Sequence, residues 1–291
     1  MVIIKRVIKV LPLVGLLLLI HQQIYSQKTQ SFDSNDLRYQ HNIFYAGTND
    51  TLQSLDVYWN SKSKNVSVLV FVHGGGWLSG DKKQYRGMAS YLASNGLTVV
   101  LVDYRLSPKV KFPYHIEDVA AAINWVKDSI ESYNGKKENI YLMGHSAGGQ
   151  LITLLMFDKT YLKKYGIVPN DIAGVITISG VLEIKPQEGG ATKKYLGMVF
   201  GENEKIWRQA TCKTHINTKM KNLVPPFLIS WGSKENELIM NESLNIIEEL
   251  KAHEVSYQSF LFDNNNHYAF KDDLMNTGSR FYKNVVEFID K

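Results

Sequence analysis

The sequence predicts a single α/β domain of about 255 residues on a mostly parallel sheet, with helices on both faces. Three observations predict it. Val66–Val72, Leu97–Val102, Ile140–Met143, Ala173–Ser179, Phe227–Trp231 and Tyr257–Phe262 are short apolar runs, rich in β-branched or aromatic residues and bounded by polar or turn residues. Between them lie helical periods: Ile116, Val119, Ala120, Ile123, Trp125 and Val126; then Leu244, Ile247 and Leu250; then Phe281, Val285, Phe288 and Ile289. Ahead of them, Tyr39–Tyr45 and Leu52–Tyr58 flank Gly47-Thr48-Asn49-Asp50, as expected of an antiparallel hairpin. These runs predict about eight strands. Residues 181–222 break the alternation and read as a small insertion after the sixth strand, over one end of the sheet.

The composition suits a globular chain: of 291 residues, 44% are hydrophobic and 21% charged. A chain of this length buries enough apolar surface to fold without covalent staples. Cys212 is the sole cysteine, which excludes an internal disulfide framework and a cysteine-based zinc site. Burial is its expected state.

The N-terminus reads as an export signal. Lys5, Arg6 and Lys9 precede the apolar run Val10 to Ile20, which is shorter than the roughly 20 residues that span a bilayer. Ile24-Tyr25-Ser26 offers a cleavage site, so residues 1–26 are expected to be removed and 27–38 to form a flexible lead-in to a domain over 39–291. The mature chain is then periplasmic or secreted, with no stable membrane anchor. The segment carries those three basic residues and no acid, so the formal charge falls from +5 to +2 on cleavage. With no dense Lys/Arg patch, nucleic acid is not an expected partner.

Two motifs carry the chemistry. Gly144-His145-Ser146-Ala147-Gly148 follows the run Ile140–Met143 and precedes the helical residues Leu151, Ile152, Leu154 and Leu155. A serine on so sharp a strand-to-helix turn needs small neighbours two residues to either side, and its hydroxyl then stands at a helix N-terminus. His73-Gly74-Gly75-Gly76-Trp77 ends the run Val66–Val72. Successive glycines free backbone N–H groups to converge on one point, as an acyl-transfer oxyanion requires. A dinucleotide-type phosphate loop with Asp103 as ribose contact fits poorly, because Ser79 stands where the third glycine belongs.

Together with Leu55-Asp56-Val57-Tyr58, Asp103-Tyr104-Arg105-Leu106-Ser107-Pro108, Phe112-Pro113, Glu117-Asp118-Val119 and Pro225-Pro226-Phe227-Leu228-Ile229, these motifs resemble the α/β-hydrolase fold. The resemblance is to hormone-sensitive-lipase-like esterases, and the chain is also similar to the arylformamidase (kynurenine formamidase) and BD-FAE-type feruloyl or acetyl esterase branches. It runs over roughly 39–291 and is thin from 181 to 222. It implies a Ser–His–acid triad in the chain order Ser, acid, His, with Ser146 as nucleophile and backbone N–H groups of Gly75, Gly76 and Ala147 as the oxyanion hole. His267, on the loop after the last strand, fits the general base. The loop Gly232 to Glu237 holds no aspartate, a departure from the commoner pattern. Glu235 stands where the formamidase-like branch places its acid; Glu237, Asp263 and Asp272 stay open alternatives.

Trp77, Tyr104 and Tyr268 are candidates to line the substrate pocket. His73 is expected to brace the glycine loop, His145 to point away from Ser146, Arg105 and Asp118 to be structural, and Asp81 to cap a helix. No metal or organic cofactor is expected. The resemblance implies hydrolysis of small acyl or aryl esters, including acylated sugars that an exported enzyme would meet. An arylformamidase-like amidase, a peptidase of related fold and a non-catalytic binding module on the same scaffold are the alternatives.

Overall fold

The computed structural model describes residues 34–186, 191–263 and 266–290. The expected export signal and cleavage site lie outside the described residues. Eight strands are described: β1 Leu37–Phe44, β2 Ser54–Asn60, β3 Val66–Val72, β4 Thr98–Val102, β5 Gly135–His145, β6 Gly174–Ile178, β7 Phe227–Gly232 and β8 Tyr257–Phe262. They form one sheet in the order β1-β2-β4-β3-β5-β6-β7-β8. β1 pairs antiparallel with β2, and β2 antiparallel with β4. All later pairings are parallel.

The unbroken apolar runs follow from burial on two sides. In β3, Val68, Val70 and Val72 join one core while Leu69 and Phe71 join the other. β4 and β5 divide likewise, with Val100, Val102 and Leu142 against Val99, Leu101, Tyr141 and Met143. Register carries this alternation across the sheet: Val70 is opposite both Val100 and Leu142. A strand with apolar residues on both faces can sit only in the middle of such a sandwich.

Helices α1 (Arg86–Ser94), α2 (Tyr114–Ser129), α3 (Ala147–Phe157), α4 (Thr160–Lys163), α5 (Ala191–Phe200), α6 (Glu204–Ala210), α7 (Glu237–Ala252), α8 (Phe270–Leu274) and α9 (Arg280–Ile289) cover the sheet. α2, α3 and α7 supply one face; α1, α8 and α9 supply the other. α9 buries Phe281, Val285, Phe288 and Ile289, and each large side chain removed from water is worth about 1.5–3 kcal/mol. On α7 the buried residues are Ile246, Ile247 and Leu250, whereas Leu244, expected in the apolar stripe, faces solvent.

Two element boundaries are set by backbone contacts rather than by apolar pattern. Within the stretch 27–38 expected as a lead-in, the described residues form a 3-10 turn at Ser34–Asp36 and begin β1 at Leu37. Asp36 accounts for this, because its carbonyl accepts from the Ser61 amide and its carboxylate pairs with Lys62 at 2.7 Å. β5 extends back to Gly135 through the polar Lys136–Asn139, since Gly135 pairs with Val66 whatever the side chains above it.

Among the described residues, 181–186 and 191–222 form the expected excursion after β6. α5 and α6, followed by short turns, bond to the loop before α2 and to helix α3 at the carboxyl ends of the strands. The Phe112 amide donates to the Val199 carbonyl at 2.9 Å, and the Gln150 side-chain amide donates to the Ala210 carbonyl at 2.7 Å.

Candidate active site

Ser146 sits between the end of β5 and the start of α3 with φ +53° and ψ −117°. That geometry costs a non-glycine residue on the order of 1–3 kcal/mol and persists only where the surroundings enforce it. Here the Ser146 amide donates to the Ile178 carbonyl at 2.9 Å, and the Ser146 carbonyl accepts from Gln150 and Val181. The flanking glycines are required by space. A Cβ on Gly144 would stand 2.5 Å from the Gly148 carbonyl oxygen, and one on Gly148 would stand 2.2 Å from that of Val72. The motif spacing is therefore the spacing at which α3 closes onto the ends of β3 and β5.

The glycine loop is aimed by its carbonyls. In a trans peptide the C=O and the following N–H point opposite ways. His73 Nδ1 donates to the Gly74 carbonyl at 2.7 Å, which turns the Gly75 N–H away. The Gly75 carbonyl accepts from the Leu78 and Ser79 amides and from Ser79 Oγ, which turns the Gly76 N–H away. Gly76 has φ +61°, and a Cβ there would lie 2.1 Å from the Tyr195 hydroxyl. Among the described residues, the N–H groups of Gly75, Gly76 and Ala147 bond to no protein acceptor. Ala147 is also the first residue of α3, where the helix dipole favours negative charge.

His73 stacks on Tyr104 at 4.5 Å, and the Tyr104 hydroxyl donates to the His73 carbonyl at 3.1 Å. Its Nε2 makes only a long 3.4 Å approach to Asp103 Oδ1, short of a well-formed hydrogen bond. Asp103 is itself engaged by the Lys82 amide at 2.7 Å and by Lys82 Nζ at 2.8 Å. Burial pushes the Asp103 carboxyl up, but His73 and Lys82 outweigh it and hold it below the usual carboxylate range. Asp103 is thus a buried anchor of the Lys82 segment that follows the loop. Arg105 and Asp118 form a two-pronged pair at 2.8 and 2.7 Å, and Asp81 caps the turn at Lys82–Tyr85.

His267 follows β8, and its Nδ1 lies 2.8 Å from Glu235 Oε2. A carboxylate accepts, so Nδ1 carries the proton and Nε2 is left for a substrate-side partner. The Glu235 side chain is only 2% exposed. Burial raises its carboxyl, yet His267, Ser179 and the Asn236 amide together hold it below the ordinary glutamate value. Glu237 lies instead in the exposed first turn of α7, after the cap Asn236. Asp263 faces Arg280 at 3.3 Å, and Asp272 lies in the first turn of α8. Of the acids considered, the structure brings Glu235 alone to His267. No hydrogen bond joins Ser146 Oγ to His267 among the described residues, a link that commonly tightens only with substrate bound.

Two of the three anticipated pocket residues belong to the core. Trp77 is 1% exposed, donates Nε1 to Gln150 Oε1 at 3.2 Å and meets Phe200 edge-on. Tyr104 is fully buried against His73. Each has its polar atom bonded inside the protein, so neither is free to line a pocket. Tyr268 is 66% exposed and stands edge-on to His267 at 5.0 Å, at the rim.

Three residues at the site make contacts that carried no sequence signal. Tyr195 of α5 donates to the Gly76 carbonyl at 2.7 Å. Gln150 of α3 joins Trp77 to Ala210. His145 does point away from Ser146, but onto the His267 segment. Each acts through a partner distant in sequence, which no local pattern announces. Cys212 is buried, with Sγ 3.7 Å from the Gln150 carbonyl. No group of three or more His, Cys, Asp or Glu side chains suited to a metal ion occurs among the described residues.

A sheet of this order, with a serine on a strained turn after β5 and a histidine after β8, defines an α/β-hydrolase. The BD-FAE family model matches residues 55–250, and the chain belongs to that family. It is 27% identical over 231 residues to Esterase LipC of Mycobacterium tuberculosis, covering 74% of this chain and 56% of LipC. It is 35% identical over 115 residues to Kynurenine formamidase of Meyerozyma guilliermondii, covering 39% of this chain and 42% of that protein. The chain spans about half the length of the curated relatives it matches. The crystal structure of Esterase B from Lactobacillus Rhamnosis superposes with a TM-score of 0.73 at 20% identity, covering 95% of this chain and 93% of that one.

Proposed function

We propose that the protein is an exported serine hydrolase that cleaves small acyl or aryl carboxylic esters through an acyl-enzyme intermediate. The observation that carries this reading is the 2.8 Å pair between His267 and the buried Glu235, in a site where Ser146 stands on its turn beside the glycine loop. Ser146 Oγ attacks the ester carbonyl while His267 Nε2 takes its proton. Glu235 keeps the proton on Nδ1 and stabilises the imidazolium that forms. The N–H groups of Gly75, Gly76 and Ala147 receive the carbonyl oxygen as it becomes an oxyanion. Collapse breaks the bond to the alcohol, which leaves with the proton from His267. Water then repeats the sequence, freeing the acid and Ser146. No step calls for a metal or organic cofactor.

Hydrolysis of 4-nitrophenyl acetate by the full chain, with Ser146→Ala in parallel, tests this reading. Turnover that vanishes in the variant, with fluorophosphonate labelling lost at the same position, supports it. Turnover equal in both removes it. The match to a kynurenine formamidase supports a second substrate class for the same groups, N-formyl arylamides. Acetylated and feruloylated sugars are the substrates to compare with them. Export is tested by the N-terminus of the mature protein, expected at Gln27.

A further inference from the structure

His145 stands between the two loops on which the proposed chemistry depends. It precedes Ser146 and is 1% exposed. Its Nε2 lies 2.7 Å from the main-chain oxygen of His267. A carbonyl oxygen only accepts, so this nitrogen carries the proton. The ring packs on the rings of His267 and Phe270, each at 4.5 Å between centroids. Its other nitrogen faces the glycine loop, where a Cβ on Gly74 would stand 2.8 Å away. The imidazole is therefore wedged on three sides and held in one tautomer.

The geometry points to His145 as a positioning residue: its Nε2–H holds the main chain of His267 and so sets where the base imidazole stands toward Ser146. This rests on the reading of Ser146 and His267 as nucleophile and base. Two anchors then locate His267, the His145 donor at its backbone and Glu235 at Nδ1. A side chain with two rotatable bonds, tied at both ends, has little freedom left for Nε2.

The chemistry of the place also favours a neutral donor. His267 becomes cationic during attack, and a second cation 4.5 Å away would oppose that step. Burial, reinforced by the neighbouring His267, pushes the His145 imidazole down to about 3, so it stays uncharged around neutral pH. A lysine or arginine could donate the same hydrogen bond but would bring the charge.

The experiment compares His145→Phe, which keeps an aromatic ring without a donor, with His145→Gln, whose amide N–H reaches near the place of Nε2. Two readouts are taken on the full chain: kcat and KM for 4-nitrophenyl acetate, and the imidazole N–H resonance of His267. Loss of one hydrogen bond predicts kcat down about 5- to 10-fold in the Phe variant with KM unchanged. The Gln variant recovers most of that loss. The His267 Nδ1–H signal stays sharp in wild type and Gln and broadens in Phe. Wild-type kcat in the Phe variant, equal impairment of Phe and Gln, or an unaltered His267 signal in Phe each overturns the assignment. If the Phe variant does not fold, His145→Met serves as the donor-free partner to Gln. Should Ser146→Ala retain turnover, the functional reading falls, while the His267 resonance still decides whether His145 holds that segment.

Discussion

The strand-end loops between 66 and 155 and the excursion from 181 to 222 meet at one site but are built on different rules. The first region is set by short-range sterics. Gly144 packs against the Gly148 backbone and Gly148 against the Val72 carbonyl, where no Cβ fits, and carbonyl acceptors within the loop aim the Gly75 and Gly76 amides. The second region has no such pattern and works by contact. Tyr195 reaches the Gly76 carbonyl, Ala210 receives Gln150, and Phe200 packs on Trp77. One region makes the reactive geometry, and the other holds it from outside. Damage to the first should therefore abolish chemistry, whereas damage to the second should loosen it.

The largest expected effect is Ser146→Ala, a loss on the order of 10⁶ in kcat for a serine acting in a triad. Next is Glu235→Gln, which lets His267 adopt the wrong tautomer and costs on the order of 10⁴. Glu237→Gln should leave kcat near wild type, because that carboxylate is exposed in the first turn of α7. Equal effects in the two glutamate variants would break the distinction drawn here between them. Tyr195→Phe removes one bond from the excursion to the glycine loop, so kcat should fall about 5-fold. The affinity for a phosphonate analogue of the tetrahedral intermediate should fall in step. A Tyr195→Phe enzyme with unchanged kcat would show that the glycine loop holds itself.

The smallest effect concerns stability. Glu242 of α7 accepts the amides of Leu182 and Glu183 at 2.6 and 3.2 Å, pinning the root of the excursion. Burial raises its carboxyl to about 7, against the two amide bonds that lower it. The folded value lies above the unfolded one near 4.5. This group therefore favours folding below pH 4.5, and that contribution is lost as pH rises through 7. Glu242→Gln should flatten the fall in melting temperature between pH 5 and pH 8, by on the order of 1 kcal/mol in stability. A parallel pH profile in both proteins would remove Glu242 as its cause.

Legibility in the sequence follows the range of the forces involved. The strands were readable because burial on both faces demands continuous apolar runs, as in Val66–Val72. The start of β5 was not, because its polar residues are placed by backbone pairing to β3. Trp77 and Tyr104 show the same limit at the site. Aromatics beside a catalytic loop suit a pocket or a core equally well, and their contacts with Gln150 and His73 made them core. His145 was legible as a neighbour of Ser146 but not as a partner of His267, 122 residues away.

By itself the sequence determined the α/β layering, the sharp turn at Ser146 and the glycine loop, because these follow from hydrophobic period and from where a Cβ cannot fit. The tertiary structure alone decided that Glu235 rather than Glu237 faces His267. It also decided that Trp77 is core, and that Tyr195, Gln150 and His145 brace the loops. Those outcomes depend on which segments the closed sheet brings together, and hydrogen bonds and packing between distant residues leave no periodic trace along the chain.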